Sequence, residues 1–211
     1  LGREPEAIAQ FDRVKDPQLA GQAAYQRARA QLRAGQGTAS REALARIPIE
    51  FPNDVDAAST ALYLAGDLAT DDGNDARARA LWLEVGRKYP KSRFGDRARF
   101  RASFLAFLAG DHRAAASELD ALHRDSPDGD EASASLYWAG RALRAAGDTV
   151  GAIARWSRLA ARQAGAYYAT LAADALGQAP WSAAPGDSTI AVPHDVSAAL
   201  HRASVLERVG L

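Results

Sequence analysis

Four glycines mark a regular beat along this chain. Gly73, Gly110 and Gly147 stand 37 residues apart, and Gly35 lies 38 before the first of them. Pro52, Pro90 and Pro127 follow the same beat, with Ala164 in the fourth place. Self-similarity at a period of roughly 20–50 residues marks an array of stacked units, each burying its apolar face against the next. No other feature of the sequence restricts the fold so strongly.

Side-chain types recur in phase between these marks. A small residue stands at Ala28, Gly66, Ser103 and Gly140. Twelve positions later comes another, at Ser40, Ala78, Ala115 and Ala152. Four further on is a large apolar residue, at Leu44, Trp82, Leu119 and Trp156, and three beyond that Ile47, Val85, Leu122 and Leu159. Steps of 4 and 3 place three side chains on one helical face. A small residue on the first helix lets the second approach closely. Gly after the first helix accepts a left-handed cap, Asp111 and Asp148 are placed to cap the second, and Pro stops it. The unit is therefore a helical hairpin.

This phase pattern resembles the tetratricopeptide repeat. Ala78, Trp82 and Pro90 fit that family's spacing, as do Ala115, Leu119 and Pro127. The departure is a period of about 37 instead of 34, with the extra residues expected between hairpins. The resemblance implies an all-α, right-handed α-solenoid over residues 1–177. Residues 178–193, "QAPWSAAPGDSTIAVP", carry three Pro and read as a linker loop. Residues 194–211 read as the start of a further helical region, with Val196, Leu200 and Ala203 at steps of 4 and 3. At the other end, Ala7, Phe11 and Val14 repeat those steps, so the N-terminal stretch reads as the second helix of an incomplete hairpin. The beat changes after Tyr167–Tyr168, and Pro180 is expected to end the last helix of the array.

The 26 basic and 26 acidic residues cancel, so the balance of charge gives no reason to propose a nucleic-acid partner. No apolar run approaches the ~18–20 residues that span a bilayer. The chain has no Cys, and it begins at Leu1 and not Met, so a leader would have been removed with its N-terminus. His112, His123, His194 and His201 make no close metal-ligand pair; no metal site and no cofactor is called for. "DDGND" at 71–75 lacks the closing Glu of a calcium loop and reads as a turn with an N-capping Asp. No nucleophile elbow, phosphate loop or dinucleotide fingerprint occurs, and no catalytic residue is assigned.

Carrying over the tetratricopeptide register places Tyr63 and Asp67, then Arg97, Phe100, Phe104 and Phe107, then Tyr137, Arg141 and Arg144 on the groove side of successive first helices. The Phe stripe has two readings, packing between hairpins or an apolar floor for a peptide laid in the groove.

Residues 135–177 carry a second resemblance. Tyr137, Trp138, Ala139, Arg141, Ala142 and Leu143, followed by Tyr167, Tyr168, Leu171, Ala172, Ala173, Leu176 and Gly177, resemble the end of the helical superhelix in soluble lytic transglycosylases. Ala169 departs from it, since Gly usually follows the Tyr pair. The family's catalytic domain is lysozyme-like, with a general-acid Glu followed by Ser; this chain has no Glu-Ser dipeptide. The resemblance implies a periplasmic, non-catalytic scaffold that positions peptidoglycan glycan or stem peptide, or an envelope protein, for a catalytic domain elsewhere. The alternative is a stand-alone envelope adaptor, favoured by "KYPKSRFGDRARF" at 88–100, which is similar to repeat proteins of outer-membrane assembly or the Tol-Pal system.

Overall fold

The computed structural model describes residues 2–162, 165–179 and 196. The chain separates into two units, Leu1–Pro180 and Trp181–Leu211. The sequence readings for 180–193, and for 194–211 apart from Val196, lie outside the described residues.

Among the described residues the first unit is entirely helical, with ten helices: α1 Glu4–Phe11, α2 Ala20–Arg33, α3 Gly37–Glu50, α4 Val55–Asp71, α5 Asp75–Lys88, α6 Gly95–Leu108, α7 His112–Asp125, α8 Ala132–Ala145, α9 Thr149–Arg162 and α10 Tyr167–Ala175. They form hairpins α2–α3, α4–α5, α6–α7 and α8–α9, each stacked on the next, with α1 before and α10 after. The fold is an α-solenoid. Turns inside hairpins are short, at 34–36, 72–74, 109–111 and 146–148, whereas the links at 89–94 and 126–131 are twice as long. At those two links the residues that lengthen the period fall between hairpins, whereas between α3 and α4 the link is 51–54 and the added length lies in α4, which has 17 residues.

Every phase position of the four hairpins is buried, whereas Ala7, Phe11 and Val14 are only partly so and Val196 is 43% exposed. Leu44, Ile47, Trp82, Val85, Leu119, Leu122, Trp156 and Leu159 are at most 3% exposed, and the small partners beside them are equally enclosed. Gly66 and Gly140 show why the small position matters. A Cβ at Gly66 would stand 2.7 Å from Trp82 Cδ1, and one at Gly140 2.8 Å from Trp156 Cδ1. The indoles occupy that space and donate from Nε1 to the carbonyls of Tyr63 at 3.2 Å and Tyr137 at 3.1 Å. Where the facing residue is Leu44 or Leu119, the small position holds Ala28 or Ser103.

Each first helix ends in the same way. Gly35, Gly73, Gly110 and Gly147 have φ between 72° and 87°. The next residue's N–H reaches back to a carbonyl five positions earlier, as in Asn74 to Ala69 and Asp148 to Leu143. This double closure satisfies carbonyls that a helix end leaves open. Asn74, Asp111 and Asp148 then accept from the third N–H onward, so one residue closes one helix and caps the next. Two expectations are corrected here. The cap in "DDGND" is Asn74, not an Asp; Asp75 is already the first residue of α5. And α10 is ended by Gly177, whose φ of 69° and Gln178 N–H to Ala173 bond repeat the motif, before Pro180 is reached. At the N-terminus α1 ends at Phe11, so Val14 lies past it, and α1 buries no residue fully.

Candidate functional site

The first helices α4, α6 and α8 carry the candidate groove residues, which the structure sorts into three groups. Tyr63 and Asp67 form the first, with partners that the repeat register did not name. Tyr63 is only 8% exposed, stacked on Phe94 at 4.4 Å and 6.1 Å from Trp82. Arg101 from α6 lies over Trp82 at 4.0 Å, donates to the Tyr63 hydroxyl at 3.0 Å and pairs with Asp67. Burial works against the charge of Arg101, but the Tyr63 hydrogen bond and the Asp67 carboxylate outweigh it and hold its pKa above the ordinary value. These groups are satisfied by one another and lock α4 to α6.

The second group contains Phe100, Phe104, Phe107, Tyr137, Arg141 and Arg144. The three Phe rings of α6 follow one another at 6.2 Å. Trp138 of α8 meets Phe104 edge-on at 4.7 Å and Phe107 at 5.3 Å. Tyr137 and Tyr168 lie 5.7 Å apart, and Tyr167, 71% exposed, stands against Tyr168 at 5.0 Å. Such pairs contribute about 0.5–1.5 kcal/mol each beyond area burial. The Phe rings therefore join hairpins, yet all three stay partly exposed and form part of the surface. Arg141 lies over Trp138 at 5.2 Å and donates to the Tyr137 hydroxyl at 3.4 Å, while Arg144 lies over Trp156 at 5.9 Å. Between α6, α8 and α10 is a cleft of about 540 Å³, walled by Phe107, Tyr137, Leu171, Arg141, Arg144 and Asp174.

Arg97 belongs to a third place. It is exposed beside a separate cleft of about 490 Å³ with Arg93, Asp96, Asp130 and Glu131. Burial pushes the Glu131 carboxyl above its ordinary pKa, with Arg97 opposing.

The register missed Arg101, Trp138 and Tyr168. The first two share a phase, two positions before Ser103 and Gly140. That shared phase, one charged and one aromatic, was the available signal. Among the described residues no group of three His, Asp or Glu could hold a metal ion, and no helix is long and apolar enough to cross a membrane.

A tetratricopeptide repeat family model matches residues 60–92 and 134–166. These are the two stretches that hold the Gly66–Trp82 and Gly140–Trp156 pairs. The fold is a tetratricopeptide-like solenoid. Three solved structures share this solenoid. MamA of AMB-1 has a TM-score of 0.55 at 17% identity, over 78% of this chain and 85% of that one. BtubC (BKLC) from P. vanneervenii has a TM-score of 0.58 at 16% identity, over 86% and 74%. A Podosopora anserina protein with nearly identical TPR-like repeats has 0.55 at 13% identity, over 93% and 99%. At these identities the likeness concerns the fold. No curated protein matches the chain.

Proposed function

We propose that this tetratricopeptide-like solenoid is a non-catalytic scaffold that binds a polypeptide segment along its first helices. The observation that carries the reading is the second group of residues. Partly exposed Phe100, Phe104, Phe107 and Trp138 lead into a cleft with two exposed arginines, and the same helices carry both. A rigid aromatic floor with a few oriented polar groups is the chemistry of a peptide groove. A test begins with binders selected from a random peptide library. A photo-crosslinker at Tyr167, on the aromatic face, should capture them, and one at Arg87, on the second helix α5, should not. Capture only from Arg87 would contradict the reading.

A finer reading is that this scaffold belongs to a periplasmic lytic transglycosylase and positions peptidoglycan or an envelope partner. The resemblance of residues 135–177 supports it, and Tyr167 supplies an exposed ring of the type that stacks on sugars. The chain should then sediment with peptidoglycan sacculi, and Tyr167→Ala should reduce the bound fraction. A chain that stays in the supernatant removes this finer reading and leaves the scaffold reading untouched.

A further inference from the structure

Arginines of this solenoid find two kinds of partner. Some meet carboxylates, on second helices and on first: Arg79 pairs with Glu118, Arg155 with Asp120 at 2.7 Å, Arg41 with Asp72 at 2.6 Å, Arg27 with Asp12 at 2.7 Å and Arg99 with Asp125 at 2.6 Å. Others lie over aromatic rings. Arg93 is over Phe94 at 4.6 Å, Arg141 over Trp138 at 5.2 Å, Arg144 over Trp156 at 5.9 Å and Arg29 over Tyr25 at 5.8 Å. None of these four has a carboxylate partner within ion-pair distance among the described residues. Arg101 is the exception, neutralised by Asp67.

A guanidinium lying over a ring is attracted by the ring face without losing its charge. Its N–H donors lie in the guanidinium plane and remain free for carboxylate oxygens. Ring support also restricts the side chain before any ligand arrives, which reduces the ordering loss on binding. In the α6–α8–α10 cleft, Arg141 and Arg144 face a wall containing one carboxylate, Asp174, so the lining carries a surplus of positive charge. Phe107 and Leu171 supply the apolar wall of the same cleft.

From the lining of this cleft we infer that the occupant of the first-helix face is an acidic polypeptide segment, with carboxylates meeting Arg141 and Arg144 and an apolar side chain seated against Phe107 and Leu171. The inference rests on the scaffold reading above and specifies the partner's chemistry. A neutral sequence overall is consistent with it, because the surplus of positive charge is local to this cleft.

The test uses three synthetic peptides of about ten residues, ~33 Å when extended, with identical Leu and Phe positions. The remaining positions are Glu, Gln or Lys. Fluorescence anisotropy is read with the whole chain and with Arg141→Glu/Arg144→Glu, whose sites are exposed and whose folding is checked by melting temperature. The Glu peptide should bind about tenfold or more tighter than the Gln peptide, and weaken as salt rises. The double variant should lose that preference and favour the Lys peptide. Equal binding of Glu and Gln peptides overturns the acidic assignment while the groove reading stands. Binding of all three peptides that is blind to the double variant also overturns it. A single-stranded RNA of similar length displacing the Glu peptide at equal concentration shows a bare polyanion site and overturns the peptide assignment. No binding of any peptide counts against the acidic inference and the groove reading together.

Discussion

At the scale of single residues, the pairing of Trp with Gly shows how the repeat works. Trp82 and Trp156 sit where a Cβ at Gly66 or Gly140 would stand, and their indole N–H groups satisfy a carbonyl on the facing helix. Gly66→Ala should therefore destabilise the fold by about 1–3 kcal/mol, the usual range for overpacking, measured by chemical denaturation. Combined with Trp82→Leu, the alanine should recover part of its loss, because Leu44 and Leu119 accept Ala28 and Ser103 in the other hairpins. A strictly additive double variant would show that the two positions do not share the space. Glu131 offers a test in pH. Its carboxyl is raised above 4.5 by burial, so the folded state holds the proton more tightly than the unfolded chain. Its contribution is fully favourable below the unfolded pKa and is lost as pH rises through the folded pKa. Glu131→Gln should lose less stability than the parent chain when pH is raised from about 4 to about 7; equal losses would sink this. The small and large core positions were legible because steric phase repeats. Arg101 and Trp138 were not, since their role depends on which neighbouring helix stands opposite, and that is tertiary information.

At the scale of the helix, one closing motif recurs five times among the described residues, at Gly35, Gly73, Gly110, Gly147 and Gly177. The first four could be read from the period. The fifth falls off the beat, three residues before Pro180; the capping geometry, not the spacing, decides where α10 ends. A Cβ added at Gly110 would meet nothing within 4 Å, so any effect of replacing it belongs to the backbone. Gly110→Ala should cost about 1–2 kcal/mol from the left-handed conformation alone, and Gly110→Asn should cost less. Equal losses for Ala and Asn would show that the turn is limited by something other than φ. The aromatic links between α6 and α8 are a different matter. Helical phase predicts that Phe100, Phe104 and Phe107 share a face, but only the packed hairpins show Trp138 standing against two of them.

At the scale of the molecule, stability in a stacked array is a sum over hairpins and their junctions, and its ends open first. Helix α1 buries no residue fully, whereas Trp82, Leu119 and Trp156 anchor the middle. Amide exchange should therefore be fastest in Glu4–Phe11 and slowest in α5 through α8; uniform protection would contradict a nearest-neighbour array. The same division into repeating core and variable surface explains what could be known beforehand. Core phase announces a solenoid in any such sequence, while the binding face is written in residues that do not repeat. The central claim is that this non-repeating face, from Phe100 through Arg144 to Tyr168, holds a polypeptide. Hydrogen exchange with and without a selected peptide tests it most directly. The account predicts added protection on α6, α8 and α10, with α3, α5 and α7 unchanged. Added protection confined to the second helices would contradict it.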